Sequence, residues 1–531
     1  MGWLRNISAI VILVAGVLTG GAFAQETAAN ELQLGDLACD PALNVSEPTR
    51  YLRALSLDIR GTLPTADEID QVRVMGSVPE SLIDQWLESD AFAEQAVRFH
   101  RKLLWNNVEN VNLFSANARF GRTNDLYWRR NPSTRYRGTD GLAIPCRDEP
   151  AEFSPNGEIL TDANNVEGYE MIVPYWSEDG TPIKVCAFDA QRNLYSESGT
   201  DCSSRGGGND TGCGCGPALR WCTFGNEQRR VTRSLSEATD RLLFALFSEN
   251  RPYTELFTTR RAFINGPLSY FWRNQTGHPA GLVYEPKPVN LETLPVLPFT
   301  ETEVWRETEL PDSHAGILTR PAFLLRFQTN RARANRFYDS FLCQPFNPPE
   351  GGLPVADEES ARNPDLQHRA GCKYCHSILE PAAAHWGRWT EQGIGYLSPG
   401  DFPATRDDCQ ACAISGQNCT AECRNFYATQ SFSEIEDDYL GMLNAYKFRR
   451  EDHVRNIEVG PKLLALSTVA DNRMPSCVSK RTASWLLGAE SVSEDDKAWI
   501  DELARQFVFS DLSFRSLVKA IVTSPRYRRV R

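Results

Sequence analysis

Cys372-Lys373-Tyr374-Cys375-His376 places two thiols three residues apart, with an imidazole directly after the second. On one helical turn both sulfurs can add to the vinyl groups of a single porphyrin, leaving the neighbouring imidazole beneath the iron. With 15 Cys and 7 His in 531 residues, roughly 0.005 chance occurrences of this string are expected. The competing use of the same spacing is a disulfide or zinc-binding C-x-x-C followed by an incidental His. The string predicts one covalent haem c, attached through Cys372 and Cys375, with His376 as the proximal axial ligand.

A six-coordinate iron needs a second ligand. Met474, far downstream and followed by Pro475, is the leading candidate, with His385 or Met442 as alternatives and His453 a further one. A thioether there would raise the potential relative to a second imidazole, although methionine also serves ordinary core packing. The other ring nitrogen of His376 should donate to a carbonyl, and those of Glu380 and Pro381 are nearest in sequence. Alternatively, Pro381 only ends a helix. Trp386 and Trp389 are placed to cover a flat apolar cofactor. No nucleophile elbow, zincin, phosphate-loop or dinucleotide motif accompanies the string, so the catalytic residues of any enzyme role stay unassigned.

The N-terminus reads as an export signal over residues 1–24. It has Arg5, an apolar run from Ile7 to Leu18, and Ala22-Phe23-Ala24 before Gln25. No later apolar run suits a transmembrane segment, which points to a periplasmic or extracellular bacterial protein. The net charge of −13 argues against nucleic acid as a partner and suits good solubility or a basic redox partner protein. In an oxidising compartment the remaining cysteines imply disulfides. Six cluster as Cys146, Cys186, Cys202, Cys213, Cys215 and Cys222, and four as Cys409, Cys412, Cys419 and Cys423, where zinc is the lesser alternative.

The elements that must position these residues are mostly helical. Amphipathic periodicity predicts helices at Pro48–Arg60, after Thr65 (with Glu68 completing a capping box), at Pro79–Leu87 and at Ala91–Asn107, the last capped by Asp90. Helices are also expected at Ser236–Ser248, Pro252–Thr258, Ala262–Trp272, Gly316–Phe327 and Arg333–Leu342. Five more fall near Ser433–Tyr446, His453–Leu466, Cys477–Leu487, Glu494–Phe507 and Ser513–Thr523. Between about residues 122 and 228 Gly, Asn, Asp and Ser crowd the chain, and Asp179-Gly180 marks a hairpin between Tyr169–Trp176 and Thr181–Phe188. Too poor in aliphatic residues for an ordinary core, this insertion needs its disulfides as staples. The expected fold class is mainly α: a multi-module helical protein with a single haem segment and a disulfide-rich irregular or β insertion. Its boundaries are 25–121, an N-terminal helical module; 122–228, the Cys-rich insertion; 229–345, a central helical module; 346–430, the haem segment with a small Cys-rich insertion; and 431–531, a C-terminal helical module.

Four stretches together resemble large secreted bacterial proteins of the planctomycete-type cytochrome c-like family, built from modules without a defined function. They are Leu55–Thr65, Glu255–Asn265, Gly316–Leu324 with Leu342-Cys343-Gln344-Pro345 and the haem string, and Phe514–Pro525. The resemblance implies a helical architecture with one c-type haem and assigns no substrate. Family members often carry His or Gln where Arg320 stands, and usually Asp-Pro-x-Gly-Phe where this chain has Glu380-Pro381-Ala382-Ala383-Ala384. Because both lie on segments resembling family modules, Cys343 and Cys477 are expected to bond to each other, leaving Cys39 over.

Electron transfer by a six-coordinate haem is the leading functional expectation. The alternatives are a haem-dependent oxidoreductase or peroxidase with an open iron position, and a disulfide-rich secreted binding protein whose haem is structural.

Overall fold

Proline at the first position of α1 (Pro48–Arg60) presets a helical φ, and Gly61 closes the helix with a φ of 73° that a side chain would resist. Between them Tyr51, Leu52, Leu55 and Ile59 form one buried stripe. α2 (Ala66–Met75) starts with the expected capping box, in which Glu68 N–H donates to Thr65 Oγ1 and Thr65 N–H donates back to Glu68. α3 (Glu80–Leu87) follows. In α4 (Asp90–Leu104) the cap is Ser89, whose hydroxyl accepts from Phe92 N–H, not Asp90. That helix ends at Trp105 in a left-handed conformation, three residues short of the expected end.

The structure is a computed structural model and describes residues 46–114, 119–123, 127–130, 146–223, 225–275, 277, 281–346, 362–488 and 496–530. The stretch expected to be an export signal, residues 1–24, and Cys39 lie outside the described residues. No helix among them is long and apolar enough to cross a membrane.

The long α5 (Gly225–Ser248) packs along α4. The helix expected at Ala262–Trp272 is instead a strand followed by a short helix. β5 (Arg261–Ile264) pairs antiparallel with β6 (Arg306–Glu309), and Asn265 then caps α6 (Gly266–Tyr270) by accepting from Leu268 N–H. A 3₁₀ turn over Gly316–Thr319 leads into α7 (Pro321–Arg326), because Pro321 cannot continue the preceding turn. α8 (Asn330–Leu342) precedes the C-x-x-C-H string, which opens α9 (Lys373–Ala384). The small Cys-rich insertion holds α10 (Asp407–Ser415) and α11 (Ala421–Phe426), and α12 (Glu451–Ala470) follows it, broken at Gly460-Pro461. α13 (Arg473–Leu487), α14 (Lys497–Phe509) and α15 (Phe514–Val522) complete the helical part. The helix expected over Ser433–Tyr446 shrinks to single turns at Glu434–Asp437 and Asn444–Tyr446. Between them Met442 and Leu443 bridge in extended backbone to Thr405 and Tyr427.

One hydrophobic core runs from Tyr51 to Tyr527 and draws on every numbered helix except α10 and α11, whose buried cysteines join a separate cluster with Phe402, Tyr427 and Leu443. The two ends of the described chain close on each other. Tyr51 Oη donates to the Val522 carbonyl at 2.8 Å, Tyr527 Oη to Asp58 at 2.6 Å, and Phe92 stacks on Phe514. His100 is buried at the centre of this closure, ringed by Phe99, Phe247, Tyr253 and Phe514. Its Nδ1 donates to the Ala96 carbonyl and its Nε2 accepts from the Tyr253 hydroxyl.

The insertion matches its composition. β1 (Phe120–Thr123), β2 (Tyr127–Arg130), β3 (Tyr169–Ile172) and β4 (Ile183–Cys186) form a sheet ordered β1-β2-β4-β3, with the expected antiparallel hairpin between β3 and β4. Its own apolar clusters are small. Cys146–Cys186, Cys202–Cys213 and Cys215–Cys222 supply the staples. Buried Arg130 adds a polar one, pairing with Asp189 and donating to the carbonyls of Gly207, Asp210 and Cys213.

Cys343 and Cys477 are joined, tying the end of α8 to α13. Closing a separation of 134 residues restricts the unfolded chain. Replacing both by Ala should therefore lower unfolding stability by about 2–5 kcal/mol in non-reducing chemical denaturation. An unchanged midpoint would show that the bond adds nothing.

Burial lowers the His100 pKa from 6.5 to about 4. Between those values the unfolded chain holds a proton that the folded chain excludes. This contribution is therefore complete above about pH 6.5 and is lost as the pH falls towards 4, by on the order of 3 kcal/mol. His100→Phe should flatten that part of the stability profile, measured by urea unfolding from pH 7 to 4.5. A variant profile parallel to that of the parent would contradict the assignment.

Candidate functional site

The attachment string occupies the first turn of α9. Cys375 and His376 N–H groups both reach the Cys372 carbonyl, at 3.2 and 3.1 Å, so the two thiols rise from one turn. Both are half-buried and unpaired among the described residues. Every other described cysteine is in a disulfide, including Cys409–Cys423 and Cys412–Cys419 in the small insertion. Those two bonds dispose of zinc there: Asp408, Cys409 and Cys423 come together, but the sulfurs are bonded to each other.

One turn after His376 stands Glu380, almost fully buried, and its carboxylate is the hub of the site. His376 Nδ1 lies 2.7 Å from Glu380 Oε1, Arg331 Nε donates to the same oxygen at 2.5 Å, and Arg449 Nη1 lies 2.9 Å from Oε2. Burial pushes this carboxyl up, yet the Arg331 hydrogen bond, the Arg449 charge and the His376 hydrogen bond outweigh it and leave its pKa below the ordinary value. An ionised carboxylate only accepts, so His376 Nδ1 carries the proton and Nε2 is the nitrogen able to bind a metal.

The carbonyls expected to serve His376 are engaged elsewhere. Glu380 C=O accepts from Arg449 and Pro381 C=O from Asn456 Nδ2, both on the α12 side. The Glu380 side chain takes their place. Pro381 does not end the helix, which continues to Ala384.

The second-ligand candidates are scattered. His385 follows His376 by nine residues in the same helical run, which is about 14 Å along a helix axis. Two nitrogens on opposite sides of one iron are only about 4 Å apart, twice an ordinary metal–nitrogen bond. His385 is also committed: buried at the end of α9, it donates Nδ1 to the carbonyl freed at the Gly460 break, and burial lowers its pKa to about 4. Met442 packs against the apolar cluster of the small insertion. Met474 is buried in the main core on α13, which packs on α8, α12, α14 and α15. His453 is fully buried on α12, the helix packed against α9, and its Nδ1 has no hydrogen-bond partner among the described residues. Burial lowers its pKa, and Arg449 and Glu380 both act on its charge.

Trp386 and Trp389 are buried in the main core, Trp386 donating to the Leu318 carbonyl and Trp389 packing on His314 and Tyr396. A cavity of about 570 Å³ opens beside Glu380 and Arg449, lined also by Leu397, Phe426 and Phe448. Neither thiol nor His376 lines it. No protein-family model, curated protein or solved structure matches this chain.

The fit to a covalent haem rests on three features of these residues: two unpaired thiols on one turn, an adjacent imidazole, and a carboxylate that fixes its tautomer. Glu380 could have been found from its place one turn after His376 on a helix. Arg331 and Arg449 reach it from distant segments and leave no such signal.

Glu380→Gln removes the anion between two arginines and should destabilise the protein by about 3 kcal/mol. Arg331→Ala, at a half-exposed position, should cost under about 1 kcal/mol. Equal costs in urea unfolding would contradict a buried hub.

Proposed function

We propose that this chain is an exported c-type cytochrome-like protein with one haem joined to Cys372 and Cys375, and that it transfers electrons. The observation that carries the reading is the division of the cysteines. Six disulfides take every described cysteine except the two of the C-x-x-C-H string. In an oxidising compartment a partly exposed thiol pair left open is reserved for other chemistry. The resemblance to the planctomycete-type cytochrome c-like family belongs to the same reading. So does a periplasmic or extracellular location with a redox protein as partner.

When bound, the haem supplies one-electron chemistry, with its potential set by axial ligands and their surroundings. The chain's own contribution is the second shell. His376 presents Nε2, while the Glu380 carboxylate holds its Nδ1 proton and makes the ring a more basic ligand. Arg331 and Arg449 keep that carboxylate ionised. Met474 or His453 would complete a six-coordinate iron. An electron-rich axial imidazole also suits an open sixth position, so oxidoreductase or peroxidase activity is the second reading.

Denaturing electrophoresis with haem staining should show one haem retained on the chain and lost or weakened in Cys375→Ala. Colourless protein from a host competent in c-type maturation would sink the proposal. The sixth position is tested by carbon monoxide added to the reduced protein. Slow or absent binding supports electron transfer, whereas rapid binding with peroxide turnover supports the enzyme. A weak long-wavelength sulfur–iron band lost in Met474→Ala assigns methionine, while carbon monoxide binding gained only in His453→Ala assigns histidine. Glu380→Gln should raise the reduction potential, and an unchanged potential would remove Glu380 from the tuning role.

A further inference from the structure

Among the described residues, Arg320 is a buried cation without an anion. It caps α7 where the 3₁₀ turn ends, only 6% exposed, and makes a single hydrogen bond, from Nη2 to the Arg261 carbonyl. Its Nε and Nη1 have no partner among the described residues. No acidic group acts on it, and burial alone lowers its pKa to about 9. The other buried guanidiniums are treated differently. Arg333 is ringed by the carbonyls of Phe327, Trp389, Thr390 and Gly393, Arg388 meets Glu458, and Arg130 meets Asp189. An unpaired charge out of water is strongly disfavoured, so a site that keeps one is built for a counter-charge.

Arg320 lines a cavity of about 40 Å³. At roughly 10–15 Å³ per water-sized occupant, that is room for three or four such atoms. The walls are apolar, from Leu242, Ile264, Leu268 and Trp272. His314 also lines the cavity but is already committed. Its Nε2 donates to the Pro288 carbonyl at 2.7 Å and its Nδ1 accepts from Thr319 Oγ1, while burial and the Arg320 charge hold its pKa near 3. The cavity therefore offers one positive charge and an apolar lining, with Arg320 Nε and Nη1 buried beside it and unpartnered among the described residues. A sulfate or phosphate would need many more donors than are present.

We propose that this cavity binds a small monocarboxylate of acetate size, its carboxylate on the Arg320 guanidinium and its methyl group against the apolar wall. The proposal does not depend on the haem.

Thermal unfolding of the full chain with acetate or formate, against sulfate and chloride at matched ionic strength, tests it. The expected result is a saturable rise in melting temperature with acetate and formate but not sulfate, accompanied by a saturable change in tryptophan fluorescence from Trp272. Both should vanish in Arg320→Met, which removes the charge, and in Ala238→Leu, which fills the cavity while keeping it. If Arg320→Met does not fold, Ala238→Leu decides. No saturable rise, an equal rise with chloride, or a rise that persists in Ala238→Leu would overturn the assignment.

Discussion

The Glu380 carboxylate is the constraint on which the candidate site depends. It is buried, ionised and shared among His376 on its own helix, Arg331 on α8 and Arg449 just before α12. A buried carboxylate is tolerated only when its oxygens are satisfied, and here the satisfaction comes from three separate segments. Satisfying the charge fixes how α8, α9 and α12 approach one another and which nitrogen of His376 is left for a metal. Architecture and chemistry share one group, so a change at Glu380 should register in both stability and redox behaviour.

Covalent closure works at two scales. In the insertion, short disulfides compensate for a core of a few residues around Phe120, Val185 and Leu219. In the helical body, Cys343–Cys477 adds a long-range link to a core already complete, in which α1 and α4 meet α15 through Tyr51, Phe92 and Phe514. The two unpaired thiols stand apart from both uses.

The helical plan was legible because amphipathic stripes and caps are local signals. α1, α2 and the hairpin of the insertion form where periodicity and turn chemistry place them. β5 was not legible, since Arg261–Ile264 is a strand only because Arg306–Glu309 pairs with it. The Ser433–Tyr446 segment yields similarly to bridges from Thr405 and Tyr427. At the site, the string itself was plain, and a bond between Cys343 and Cys477 was expected. The proton acceptor of His376 was sought among carbonyls that Arg449 and Asn456 already occupy. Those partners come from far along the chain and no local pattern announces them. The isolation of Arg320 is likewise visible only once its neighbours are in place.

Intact-mass spectrometry of denatured, non-reduced protein from a c-type maturation host tests the central claim most directly. The account predicts a chain heavier by one haem, with the added mass absent when Cys372 and Cys375 are both replaced by Ala. A bare chain with Cys372 and Cys375 joined as a disulfide would contradict it.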